Sequence, residues 1–236
     1  MKARVQKIIS NAGYCSRRKA EELILQGLVK VDGKAIKLGD KAEPEKDDIT
    51  INGLEIKIEK RIYILFNKPA GYITTLNDPL KRKTIFDVID IKEHIFPVGR
   101  LDRDTSGLLI LTNDGDFANK IMHPRYEIEK IYRVRIDHEL KESDIKKLEN
   151  GVIVDDKKTW PARISEIKPD IFDITIHEGR NRIVRKMMSA LGYNVLSLER
   201  IAIEDIKING LAPGHYRNLT SSEINKLLTK NNKFTE

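Results

Sequence analysis

Residues 99–115, GRLDRDTSGLLILTNDG, constrain the fold more than any other stretch of the chain. A charged turn rich in glycine runs straight into the wholly apolar Leu108-Leu109-Ile110-Leu111, and a second turn ending at Gly115 stops it. An apolar run this short, bounded by turn residues, reads as a strand over 108–112. Asp102, Asp104 and Thr105 are turn formers whose side chains satisfy backbone amides. Arg100 and Arg103 flank Asp102 at positions that a simple turn does not require. A carboxylate held among guanidinium groups stays ionised and can act as a permanently charged nucleophile.

Beyond residue 60 the chain mixes strands and helices without the regular βαβα alternation of a doubly wound fold. An apolar strand starts at Arg61-Ile62-Tyr63-Ile64-Leu65-Phe66 and is ended by Asn67-Lys68-Pro69-Ala70-Gly71. Further strands are expected over 127–136, 162–168 and 171–177. Helices are expected over 116–123, ended by His123-Pro124, and over 143–150, with Ser143 as N-cap and Gly151 past the end. Two more are expected over 181–191, ended by Gly192, and over 221–229, where Thr220 and Glu223 make a capping box. The fold class is therefore α+β with a mostly antiparallel sheet. The domain boundary is placed near residue 60, giving domains 1–60 and 61–236, with a polar tail over 230–236.

Before that boundary, Val5, Ile8, Ile9 and Ala12 share one helix face. Ser16 is the expected N-cap of a second helix whose Ala20, Leu23, Ile24 and Gly27 repeat the spacing, Gly27 also serving as its left-handed cap. A strand at 28–31, the turn Asp32-Gly33 and a second strand at 34–36 make a hairpin. The stretch 38–60 reads as a connecting turn, a hairpin around Asn52-Gly53 and a linker.

Charge distribution says more than the net +7. Residues 1–37 carry nine basic against three acidic side chains, whereas 38–60 carry four against seven. Arg17, Arg18 and Lys19 crowd the first turn of the second helix, the end whose dipole disfavours cations. A solvated face is the ordinary reading of a charge run, but this placement favours phosphate binding. A second basic cluster, His177-Glu178-Gly179-Arg180-Asn181-Arg182-Ile183-Val184-Arg185-Lys186, puts Arg182, Arg185, Lys186 and Ser189 on one helix face. These cations again ask for carboxylates or phosphates. In Glu129-Lys130-Ile131-Tyr132-Arg133-Val134, alternation puts Lys130, Tyr132 and Val134 on one strand face, where a tyrosine is a core residue or a stacking platform for a base.

Several function classes are excluded. No stretch approaches the roughly 18 apolar residues of a membrane span, and the start MKARVQKIIS has no apolar signal core. The single cysteine, Cys15, cannot form an internal disulfide, and no Cys/His spacing resembles a zinc site. The expectation is a cytoplasmic, soluble protein. The histidines are scattered and none is assigned a catalytic role.

The segment RVQKIISNAGYCSRRKAEELILQGLVKVDGKAI resembles the S4 RNA-binding module, over about residues 2–50. That resemblance gives Arg4, Ser16, Arg17, Arg18, Lys19 and Lys30 an expected role in contacting structured RNA. Asp32 departs from it, standing where the module often has Asn.

GRLDRDTSGLLILTNDG, EKIYRV and EGRNRIVRKM, in that order behind the S4-like segment, resemble the motifs of the ribosomal RNA pseudouridine synthases of the RsuA family, most nearly the RluB-like members. The resemblance covers nearly the whole chain. It implies a small S4-like α/β domain followed by a mostly antiparallel catalytic domain that isomerises uridine to pseudouridine, here in 23S RNA. No redox change or group transfer is involved, so no cofactor or metal is required. Asp102 is the implied nucleophile, Arg185 its pairing arginine, and Tyr132 the residue stacking on uracil. Val184 packs against the base, Arg100 enters the stack vacated by the target nucleotide, and Arg180 and Arg182 bind substrate. Ile183 stands where the motif commonly has Gln. The expected partner is ribosomal RNA or a pre-ribosomal particle, with no membrane, and the protein is expected to be a monomer. The alternatives are a non-catalytic RNA-binding assembly factor and the same chemistry on 16S RNA. A hydrolase using Asp102 and Asp104 is disfavoured, because side chains two apart in a loop diverge.

Overall fold

The computed structural model describes residues 2–57, 60–76 and 78–229, so the polar tail at 230–236 lies outside the described residues. The chain divides into two compact units. The first comprises residues up to Ile62 together with 91–96 and 112–115, and the second comprises the remainder.

In the first unit β1 (Ala3–Arg4) leads into α1 (Val5–Asn11), and α2 (Arg17–Leu25) follows. Ser16 caps α2, its Oγ accepting from the Lys19 amide at 3.2 Å. At the other end Gly27 turns left-handed, and the Leu28 amide reaches back to the Leu23 carbonyl at 3.1 Å. Strands β2 (Val29–Val31) and β3 (Lys34–Ala35) are joined by Asp32 and Gly33, both at positive φ, as a primed hairpin turn requires. In the stretch 38–60 the hairpin expected around Asn52-Gly53 forms, and the connecting turn before it also contributes a strand. That strand, β4 (Lys41–Ala42), pairs with β1, and the hairpin β5 (Ile49–Ile51) and β6 (Leu54–Glu55) extends the sheet to the order β3-β2-β5-β6. Val5, Ile8, Ile9, Ala20, Ile24, Val29 and Ile51 form the core beneath, and Cys15 packs against its edge.

The second unit is built on β7 (Tyr63–Lys68), β8 (Phe96–Val98), β9 (Ser106–Thr112), α3 (Gly115–Met122), β10 (Lys130–Ile136) and α4 (Glu142–Asn150). Then come β11 (Ile153–Val154), β12 (Lys157–Lys158), β13 (Arg163–Ser165), β14 (Ile171–Ile176), α5 (Ile183–Ala190), β15 (Val195–Ile203), β16 (Ile206–Lys207), β17 (Tyr216–Asn218) and α6 (Ser221–Thr229). The main sheet runs β13-β14-β10-β15-β9-β7-β17. It is mostly antiparallel, with β9 and β15 parallel.

That parallel pair explains Gly107. Its φ is +105°, and a Cβ there would lie under 3 Å from the backbone of Arg200. Only glycine lets the two strands approach so closely.

Three expectations need correction. Asn67 and Lys68 do not end their strand but belong to it, because both are buried and find partners inside the fold. Helix α4 starts from Lys141, not from a Ser143 cap. The Tyr193 hydroxyl accepts from the Lys141 amide at 3.1 Å and donates to Asp144 at 2.8 Å, so a tertiary contact sets the start. Helix α5 begins at Ile183 because Arg182 is left-handed, φ +54°, which no hydrophobic period reveals. The Thr220 and Glu223 capping box of α6 forms in both directions, at 3.2 and 2.8 Å.

Candidate active site

A cleft of about 1170 Å3 opens in the second unit. Its walls are the loop between β8 and β9, the residues after α3, the start of α5 with the turn before it, and the facing strands β10 and β15. Arg100, Asp102, Tyr132, Arg180, Arg182 and Val184, all expected site residues, line it. Arg185 does not.

The backbone of the Asp102 loop is held at every step. Thr74 donates its hydroxyl to the Leu101 carbonyl at 2.8 Å. The Asp102 carbonyl accepts from the Thr105 amide at 3.1 Å, closing the turn. The Gly71 amide reaches the Arg103 carbonyl at 2.7 Å, and Arg185 donates to the Asp104 carbonyl at 3.1 Å. The fully buried Lys68 ammonium gathers the carbonyls of Asp102, Arg103 and Thr105 at 2.8 to 3.3 Å, besides that of Pro69 at 3.1 Å. Every carbonyl from 101 to 105 therefore has a donor. Burial drives the Lys68 pKa down to about 8, while the carboxylates of Asp102 and Asp104 oppose that shift. A loop so tethered fixes its backbone and leaves the Asp102 side chain, about a third exposed, to face the cleft.

The expected pairing of Arg185 with Asp102 is not seen. Arg185 donates from Nη1 to the Val195 carbonyl, at 3.0 Å, and from Nη2 to that of Asp104, so it braces the loop through its backbone. The guanidinium at the Asp102 carboxylate is that of Arg182, at 3.9 Å. The left-handed turn at Arg182 takes that residue off the helix face it was expected to share. Nor do Arg100 and Arg103 clamp Asp102: both are exposed, and neither lies in an ion pair with it. Arg180 is committed within the protein, bonding Glu178 at 2.6 Å and the Val154 carbonyl at 3.3 Å, so it anchors the β11–β12 hairpin. Lys186 finds its carboxylate in Asp155.

Tyr132 packs against the core and also lines the cleft. Val184 and Ile183 are buried in that core with their edges on the cleft. Beside Tyr132, Lys130 donates to the carbonyl of Ile128 at 2.9 Å, and its pKa falls to about 8 through burial first and the nearby Arg200 charge second. Among the described residues no group of three or more His, Cys, Asp or Glu is placed to hold a metal ion.

In the first unit, Arg4, Ser16, Arg17, Arg18, Lys19 and Lys30 are all exposed. Lys19 bonds Glu22 at 2.8 Å on the surface. No helix among the described residues is long and apolar enough to cross a membrane.

Residues 62–190 match the RNA pseudouridylate synthase family, and residues 3–49 match the S4 domain. The chain belongs to the RNA pseudouridine synthases. The synthase is 45% identical to the ribosomal large subunit pseudouridine synthase B of Bacillus subtilis strain 168, over 95% of each chain. It is 37% identical to the dual-specificity RNA pseudouridine synthase RluF of Escherichia coli K12, over 94% of this chain and 77% of that one. A crystal structure of a pseudouridylate synthase superposes with a TM-score of 0.71 at 32% identity, covering 95% of this chain and 99% of that one.

Sequence reasoning missed two groups that line the synthase cleft, Arg200 and Thr105, and one that holds its Asp102 loop from behind, Lys68. Lys68 was read as a strand end, although its place directly after an apolar run was a signal. Arg200 lies in β15, which no clean alternation announced. Thr105 was read only as a turn former, yet it lines the cleft and its buried hydroxyl has no partner among the described residues.

Proposed function

We propose that this synthase isomerises uridine to pseudouridine in ribosomal RNA, at sites in the large-subunit 23S RNA, with Asp102 as nucleophile. The observation that carries the reading is the presentation of one carboxylate, Asp102, into a cleft from a loop whose carbonyls are all bonded, with Arg182 at 3.9 Å and Tyr132 on the facing strand. Positioning of this kind lowers a barrier without further reorganisation during the reaction.

In the reaction the N1–C1′ bond breaks, the uracil turns, C5 bonds to C1′, the C5 proton leaves and N1 takes a proton. Atoms and electrons balance within the nucleoside. The target must leave its stack, because C1′ and both edges of the uracil have to be reached. Tyr132 and Val184 offer the flipped base a ring and an apolar edge. The exposed Arg100 stands at the cleft, free to follow into the vacated stack. The basic first turn of α2 docks RNA phosphates in ribosomal RNA or a pre-ribosomal particle. The identity to the ribosomal large subunit synthase supports the 23S choice.

Pseudouridine mapping of ribosomal RNA from cells with and without the gene tests this. Loss of sites in 23S RNA is expected, restored by the wild-type chain and not by Asp102→Asn. Loss confined to 16S RNA would change the substrate assignment, and normal turnover by Asp102→Asn would remove the nucleophile.

A further inference from the structure

Among the described residues, four buried polar atoms on the cleft wall lack a hydrogen-bond partner: Thr105 Oγ1, His177 Nε2, Arg180 Nη2 and Arg200 Nη2. They are not equivalent. The charge of Arg180 is met by Glu178, and a histidine or a hydroxyl can be buried neutral. Arg200 cannot lose its charge. It is 3% exposed, bonds the Leu108 carbonyl through Nε at 2.7 Å, and forms no ion pair among the described residues. Its cationic neighbour Lys130 adds to the positive field. Burying a guanidinium on such terms is costly unless a ligand completes its hydrogen bonds.

Its place in the sheet says which ligand. Arg200 is opposite Tyr132 on β10 and opposite Gly107 on β9, just past the Asp102 loop. Its guanidinium carbon lies 6.0 Å from the Tyr132 ring centroid. A planar base resting against that ring brings an exocyclic oxygen toward the free Nη2.

We propose that Arg200 is a uracil-binding catalytic residue, donating through Nη2 to a carbonyl oxygen of the flipped base. The inference rests on reading the cleft as the uridine site. When N1–C1′ breaks, its electron pair passes to the uracil and spreads over N1, O2 and O4, whichever group receives C1′. A fixed cationic donor at one of those oxygens then stabilises the departing base more than the bound uridine. Lys130 reinforces the field from the same wall.

The test uses the full chain and a target-bearing ribosomal RNA fragment under saturating single-turnover conditions. Arg200→Gln is expected to slow the step by about 100-fold while changing RNA affinity by less than about threefold. Arg200→Lys should recover part of the rate. Sulfur accepts hydrogen bonds poorly, so 2-thiouridine or 4-thiouridine at the target should slow the wild-type enzyme at one of the two positions, and that penalty should vanish in Arg200→Gln. Wild-type turnover by Arg200→Gln would overturn the proposal, as would a loss in affinity alone, which marks a phosphate contact. Should both variants fail to fold, indifference of the wild-type enzyme to both thio-uridines overturns it equally. Absence of pseudouridine formation by the wild-type chain on any ribosomal RNA would be a failure of the functional reading instead.

Discussion

Four carbonyl oxygens converge on the ammonium of Lys68, at 2.8 to 3.3 Å, and three belong to the Asp102 loop. An ammonium has three hydrogens, so these contacts share them. Lys68→Met should leave buried acceptors without donors, lowering stability by about 3 kcal/mol in denaturant melts and slowing single turnover by at least about tenfold. Asp102→Asn belongs to a different class. Its side chain is partly exposed and its ion pair is long, so stability should stay within about 0.5 kcal/mol while turnover is lost. A variant pair that lost stability and activity in proportion would show that Lys68 acts through folding alone. Asp102 and Tyr132 were singled out from local sequence, and both line the cleft. The partner of Asp102 could not be read there, because a helical period misplaces Arg182 by ignoring its left-handed backbone.

At the scale of elements, α2 is the clearest case of charge placed against the helix dipole. Ser16 caps it, and three exposed cations follow in its first turn. Replacing Arg17, Arg18 and Lys19 with Gln should weaken RNA affinity at least about tenfold and flatten the salt slope by up to about three. Saturated single turnover should change less than about twofold. Equal losses in affinity and rate would argue against a separate docking surface. Element boundaries were legible where local chemistry fixes them, as at Ser16, at the Asp32-Gly33 turn and at the Thr220–Glu223 box. They were not legible in β15. Its Ser197, Glu199 and Arg200 interrupt the apolar pattern, and the strand is recognisable only through pairing with β10 and β9.

Across the whole molecule, two lysines from distant segments, Lys68 and Lys130, have pKa values pushed from the usual 10.5 to about 8, burial being the larger cause for each. A folded-state value below the unfolded one means that the unfolded chain binds more protons between pH 8 and 10.5. The contribution of these groups to stability therefore rises with pH through that window, and their burial penalty is fully present below about pH 8. Activity should move the other way. A neutral Lys68 holds the loop carbonyls more weakly, so the single-turnover rate should decline above about pH 8. A pH–rate profile beside denaturant melts checks both signs, and a flat rate from pH 7 to about 9.5 would deny Lys68 its role in holding the loop.

The sequence by itself determined the helix caps, the hairpin turns, the apolar strands, the order of the motifs and the crowding of cations near the amino terminus. Each depends on residues within a few positions of one another. Tertiary structure alone decided which arginine faces Asp102, that Arg185 braces the loop instead, and that Lys68 and Arg200 are buried. A charged side chain can leave water only where distant segments supply its acceptors, and no local pattern records where those segments meet.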